Sequence, residues 1–170
     1  MGVESGSQQI LDAMEKGTQV SQIPRARENL RKNGIRACFF LQFGYPGETL
    51  RDIQKTIQLV RETRPDDIGV SVSYPLPGTK FYERVRAGLG EKTNWEDSED
   101  LSMMFRGAYQ SEFYRALHDA LHAEVESWNS AVSGITLKEL WARVEQLEKT
   151  CRNSDPTRLA VVHAGGVVSA

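Results

Sequence analysis

The sequence has only two cysteines in 170 residues, Cys38 and Cys151, and they form no CxxC or longer ligand cluster. Such a pair offers neither a disulfide framework nor a self-contained zinc or iron–sulfur site. No apolar run approaches the roughly 18 residues of a membrane helix. Polar "ESGSQQ" stands where a signal peptide would carry its apolar region, so the reading is a cytoplasmic chain with no membrane partner. An excess of one charge is also missing. The 21 basic and 23 acidic residues leave −2, which provides no attraction for nucleic acid. There is no internal repeat and no low-complexity tract. What remains is an ordinary globular composition, 39% hydrophobic and 26% charged, long enough for one domain or one domain with an appendage.

The chain opens "MGVESGSQQILDAMEKG". "GVESG" reads as the end of a buried strand and its loop. A helix follows with Ile10, Leu11 and Met14 on one face and Gly17 as its stop. Ser21 caps a second helix through Ala26 and Leu30, ended by Gly34. "IRACFFLQF" is short and mostly apolar, the pattern of a strand buried on both faces of a parallel sheet. "GYPGET" breaks it. The next helix begins at Thr49 with Asp52 in a capping-box arrangement, and Leu50, Ile53, Ile57 and Val60 form its apolar stripe. "IGVSVSYP" is another strand, "LPGT" another turn, and a short helix runs through Phe81, Tyr82 and Val85. This alternation predicts an α/β unit with parallel strands over residues 1–90. Residues 91–108, with acidic "EKTNWEDSEDLSMMF", read as a linker. Residues 109–151 read as a helical extension, an antiparallel pair with stripes at Phe113, Leu117, Leu121 and Val125 and at Leu137, Leu140, Val144, Leu147 and Cys151. Residues 152–170 read as a poorly ordered tail.

Ligands of parallel α/β sheets bind beyond the carboxyl ends of the strands. Three segments reach that edge here: "GVESG", "FGYPGET" and "SYPLPGT". Glu4 stands there as a carboxylate able to accept hydrogen bonds from a vicinal diol such as a ribose, with small Gly2, Ser5 and Gly6 around it. It equally suits the positive N-terminus of the following helix. Lys16, twelve residues on, has an ammonium to offer a ligand carboxylate; an i,i+4 pair with Asp12 is the plainer reading. "GYPGET" lacks the spacing and the lysine of a phosphate loop. It is either a tight turn whose backbone a flat ligand can approach, or a plain turn with a helix cap. In "HDALH", His118 and His122 have the spacing of a zinc helix with Asp119 at the glutamate position. No third ligand has a place, because His163 lies in the tail, and a solvated helix face is the better reading. Cys38 reads as a small core residue.

Taken together, "GVESGSQQILDAMEKG", "GIRACFFLQFGYPGETLRDIQKTIQLV" and "VSYPLPGTKFYERV" resemble the second half of a radical S-adenosylmethionine (radical SAM) domain across about residues 2–90. Their flavour is similar to the cobalamin-associated branch, the magnesium-protoporphyrin IX monomethyl ester cyclases and their relatives. The resemblance implies the C-terminal half of a (β/α)6 barrel, a partial (β/α) barrel followed by the helical extension. It implies that Glu4 holds the ribose of S-adenosylmethionine, with Ser5 beside it, and that Lys16 faces the carboxylate. Phe43, Gly44 and Tyr45 would lie near the adenine, with Ser73 and Tyr74 on the same wall. Trp95 and the pair Met103–Met104 would sit near the barrel mouth.

The family's CxxxCxxC loop holds a 4Fe–4S cluster that cleaves S-adenosylmethionine to a 5′-deoxyadenosyl radical. This sequence has no such loop. The expectation is therefore a chain that begins inside a domain, lines half of a cofactor site and contributes no catalytic or metal-ligating residue of its own. The cluster, and activity with it, would require a cluster-bearing N-terminal half or subunit as partner, and cobalamin would belong to the parent protein. The other reading is a non-catalytic half-barrel remnant that serves as an interaction module through its open sheet edge.

Overall fold

Val3 on one strand, Phe39, Leu41 and Phe43 on the next, and Ile68 and Val72 on a third point to the same side of a small sheet and are buried there. The strands are β1 (Gly2–Glu4), β2 (Cys38–Phe43) and β3 (Asp67–Val72), in spatial order β1-β2-β3 with both pairings parallel. Gly2 lies opposite Phe40, and Cys38 through Phe43 oppose Asp67 through Val72 in register. Between the strands run α1 (Gln8–Ala13), α2 (Gln22–Lys32) and α3 (Leu50–Thr63). After β3 come α4 (Lys80–Val85) and the hairpin of α5 (Ser111–Ser127) and α6 (Gly134–Thr150). This computed structural model describes residues 1–89, 101–128 and 134–152. Trp95, most of the acidic stretch and the tail beyond Arg152 lie outside the described residues. Among the described residues, no helix is long and apolar enough to cross a membrane.

The molecule is thus α/β, with a three-stranded parallel sheet and helices. One expectation needs correction. β2 is not buried on both faces. Phe39, Leu41 and Phe43 face the helices, but Phe40 is 56% exposed and lies over Gly69, while Cys38 and Gln42 on the same face are half-buried. The period of 2 in a strand sends alternate side chains to opposite faces, so an apolar run alone could not reveal that one face is left uncovered among the described residues.

At the strands' starting end, buried Arg27 of α2 donates to the Arg64 carbonyl and pairs with Asp66 at 3.2 Å. Asp66 in turn accepts the Ala37 amide at 2.7 Å. At the other end, α1 enters through "SGS". A Cβ on Gly6 would come within 2.5 Å of the Lys55 carbonyl oxygen, so only glycine allows this approach to α3. The Gly6 amide donates to Thr56 Oγ1 at 2.8 Å, and Ser7 Oγ donates to Asp52 at 2.6 Å. Asp52 also accepts the Thr49 amide and hydroxyl, completing the capping box. Burial alone would raise the Asp52 pKa, but hydrogen bonds from Ser7, Thr49 and Lys55 outweigh it and hold the carboxyl at about 2.

The turn after β2 joins the sheet to the helical hairpin. Gly44 has φ +76°, and a Cβ there would meet Met103 Sδ at 2.7 Å and Tyr114 at 3.3 Å. Its amide donates at 2.6 Å to Glu48, whose carboxyl group is fully buried. Met103, Met104 and Phe105 are buried in the same core cluster as β2, α3 and α5. The cluster runs from Val3 to Cys151, so residues 101–108, read from sequence as part of a linker, pack into the interior without helix or strand.

Gly44→Ala should cost about 1–3 kcal/mol more than Gly47→Ala. Both positions have positive φ, but only Gly44 is also packed against a neighbour; equal losses in urea denaturation would show that the contact with Met103 is soft. Burial raises the Glu48 pKa from 4.5 to about 8, against the Gly44 amide and with help from the Asp52 charge. Between those values the native state holds a proton that the unfolded chain has released. Stability should therefore fall as pH rises from 4.5 to 8, at up to about 1.4 kcal/mol per unit. Glu48→Gln should flatten that slope and exceed the parent's stability at pH 9; an unchanged slope would assign it to another group.

Candidate functional site

Glu4 closes β1 in the left-handed region, φ 60°, which turns the chain off the sheet and leaves the side chain on the uncovered face. Lys16 reaches it: Nζ lies 2.7 Å from Glu4 Oε1, with the Glu4 side chain 17% exposed and that of Lys16 38% exposed. The pair sits over Gly2, where a Cβ would come within 2.9 Å of the Glu4 oxygen and 3.4 Å of the Lys16 nitrogen.

Lys16 is not at the end of its helix, as the sequence predicts. α1 stops at Ala13, Glu15 turns left-handed at φ 55°, and Lys16 swings back toward β1. It does not pair with Asp12, whose carboxylate accepts Gln8 Nε2 instead at 2.8 Å. The two residues that the resemblance singles out are therefore brought together. They form an acceptor and a cation side by side at the carboxyl end of the first strand.

The other candidates are placed differently. Ser5 is fully buried on the helix side, its hydroxyl 3.3 Å from that of Thr56 and accepting the Ser7 amide. Gly6 faces α3, where its missing side chain admits the Lys55 carbonyl and not a ligand of the Glu4 rim. The Phe43 side chain belongs to the core, and its carbonyl accepts the Ser73 amide at 2.9 Å and hydroxyl at 3.2 Å, extending the ladder by one residue. Ser73 is likewise fully buried. The space above Gly44 is occupied by Met103. These side chains support the rim and do not line it.

Tyr45 is 7% exposed and stacks on Phe81 with centroids 5.1 Å apart. Its hydroxyl donates to the Ala13 carbonyl at 2.8 Å and accepts from Arg84 Nη1 at 2.8 Å. Burial raises the Tyr45 pKa, with the Arg84 charge opposing. Tyr74 is half-buried, and its hydroxyl accepts the Leu101 amide at 3.2 Å.

Sequence reasoning read Glu48 as a helix-start residue and passed over its part in the site. Its spacing of four from Gly44 in "GYPGE" is the only local sign that one closes on the other. Glu48 Oε1 and the Tyr114 hydroxyl are buried without a hydrogen-bond partner among the described residues. Burial, then the nearby Glu48 charge, pushes the Tyr114 pKa well above its ordinary value.

The histidine pair lies on α5, with ring centroids 4.3 Å apart and His118 Nδ1 3.0 Å from Asp119. Burial, then His118, lowers the His122 pKa. Among the described residues, no three His, Cys, Asp or Glu side chains gather as a metal site. Cys38 is half-buried on the uncovered face, and Cys151 is buried. A cleft of about 620 Å³ between α3, α5 and α6 is lined by Ile53, Phe113 and Trp141 among others, and by none of the eight candidates.

A protein-family model search finds no match to the chain. The chain is similar to an uncharacterised methyltransferase of Pyrococcus horikoshii, 29% identical over 129 residues, which is 67% of this chain and 28% of that protein. It is similar to tRNA-2-methylthio-N(6)-dimethylallyladenosine synthase of Paracoccus denitrificans, 39% identical over 48% of this chain and 19% of that protein. It is also similar to the human threonylcarbamoyladenosine tRNA methylthiotransferase, 33% identical over 61% of this chain and 18% of that protein. The chain spans under a third of the length of these curated relatives. Methyltransferase and methylthiotransferase relatives support the radical SAM superfamily, with S-adenosylmethionine and a 4Fe–4S cluster at the family level. They do not support the narrower cobalamin-associated, cyclase-like branch.

Proposed function

We propose that this chain forms the C-terminal wall of a radical SAM site, with Glu4 taking the ribose diol of S-adenosylmethionine and Lys16 its carboxylate. The observation that carries this reading is the Glu4–Lys16 pair at 2.7 Å, set over the uncovered face at the carboxyl end of a parallel strand. Parallel sheets are normally covered on both faces. A bare face with Glu4, Phe40, Gln42 and Ser71 on it suits the inner lining of a partial barrel better than a free surface.

The donor set fits part of the cofactor. Glu4 supplies two acceptor oxygens for a diol, and Lys16 supplies a point charge for a carboxylate. In the described geometry each satisfies the other, so ligand entry would exchange one ion pair for two ligand contacts. The side chains of Ser5, Phe43 and Ser73 do not fit as cofactor contacts, because all three are consumed by the core. Adenine recognition would fall to Tyr74 and to backbone at the β2 turn.

The cluster does not fit this chain. Two cysteines, one half-buried on the sheet face and one buried at the end of α6, cannot hold it. Its ligands, and the reductive cleavage they support, would come from a cluster-bearing segment outside these residues, whether in the same polypeptide or in a partner. Met103 of the 101–108 segment and Tyr114 of α5 would fix the rim turn. Any methyl or methylthio transfer, of the kind for which the relatives are named, would be a property of that assembled protein.

Calorimetric titration of S-adenosylmethionine tests this. The chain joined by a cluster-bearing N-terminal half should bind, the chain alone should bind weakly or not at all, and Glu4→Ala or Lys16→Ala should weaken the assembled site at least about tenfold. Absence of binding in both states would favour the non-catalytic half-barrel reading.

A further inference from the structure

We infer that Tyr45 and Arg84 are positioning residues for Lys16, acting through the carbonyl of Ala13. The inference rests on the carboxylate role proposed for Lys16. Its geometry is independent of that role.

The last carbonyls of a helix have no partner within it. The Ala13 carbonyl, at the end of α1, accepts Tyr45 Oη at 2.8 Å and Arg84 Nη1 at 3.3 Å, and Arg84 Nη1 also donates to Tyr45 Oη at 2.8 Å. These three groups close a triangle between the β2 turn, α4 and the end of α1. One turn earlier on α4, Lys80 reaches Glu15 at 3.2 Å, an exposed pair that contributes little by itself. The chain then bends tightly. The Glu15 amide returns to the Asp12 carbonyl and the Lys16 amide to that of Leu11, both at 3.0 Å. Residues 13 and 15 are thus held from outside, and residue 16 is the next to leave the turn.

Core packing does not account for the triangle. The Tyr45 ring is already fixed by Phe81, and a phenylalanine would pack the same way; only the hydroxyl reaches Ala13. Arg84 is an exposed residue, yet its guanidinium reaches a carbonyl and a phenol. A lysine side chain has four rotatable bonds, so the reach of its ammonium depends on where the backbone starts it. A loosened turn would let Lys16 leave Glu4 and the face it shares with Gly2. Such supporting contacts matter for sites in which a small displacement costs affinity.

The test compares S-adenosylmethionine with 5′-methylthioadenosine, which lacks the carboxylate, on the chain assembled with a cluster-bearing half. Tyr45→Phe and Arg84→Met should each lower affinity for S-adenosylmethionine about tenfold and cause no loss for methylthioadenosine. Equal losses for both ligands, or none for either, would overturn the inference. Failure of the parent assembly to bind S-adenosylmethionine would instead reject the cofactor reading. The triangle is also read without ligand. In the chain alone, the double variant should speed hydrogen exchange at the Glu15 and Lys16 amides and leave those in the middle of α3 unchanged. Unaltered exchange at residues 15 and 16 would show that the triangle holds nothing.

Discussion

A hydrogen bond between two buried groups, the Gly44 amide and the Glu48 carboxyl at 2.6 Å, governs how this chain is put together. Gly44 ends the central strand with a left-handed turn, and Glu48 precedes α3. Closing one on the other sets the angle at which the helix leaves the sheet. It also opens the space that Met103 and Tyr114 fill, which brings residues 101–109 and the hairpin onto the strand ends. Burying a carboxylate is costly unless it is hydrogen-bonded or neutralised. Glu48 does both in part, keeping one oxygen on the amide and holding its proton up to about 8.

From that turn the chain divides its polar residues between two tasks. Ser5, Ser7, Asp52, Thr56 and Ser73 are buried and spend their hydrogen bonds on one another, on backbone or, for Asp52, also on the side chains of Thr49 and Lys55. Glu4 and Lys16 remain on the open face and spend theirs on each other. A surface ion pair of this kind contributes little to stability, so its placement is better explained by what it can offer a ligand. Tyr45 belongs to neither group alone: its ring is core, and its hydroxyl holds the end of the helix that leads to Lys16.

Much of the fold was legible in the sequence. Strand and helix alternation, the capping box at Thr49 and Asp52, and the two long amphipathic helices all rest on local periodicity, which the chain cannot hide. What escaped depends on contacts between distant residues. Nothing in "DAMEKG" announces that Glu15 will turn left-handed; Tyr45 and Arg84 hold that end from 32 and 71 residues away. "CFFLQF" carries large apolar residues on both faces, so the exposure of Phe40 follows only from the absence of a layer over it among the described residues. Ser5 and Ser73 sit at strand ends, where ligand-binding hydroxyls often stand, yet a short hydroxyl satisfies backbone equally well. Glu4 and Lys16 were singled out by resemblance, and their contact with each other was not in the pattern.

The central claim is that the uncovered face is the inner wall of a site completed by a cluster-bearing segment. Cys38 reports on it directly, since it shares that face with Phe40 and Gln42, while Cys151 is buried elsewhere. The rate of maleimide labelling at Cys38 should be measured on the chain alone and after assembly with such a segment. The account predicts that Cys38 reacts in the isolated chain and is protected on assembly, with Cys151 slow in both. Equal labelling of Cys38 in the two states would mean that the segment does not cover this face, and the barrel reading would fail.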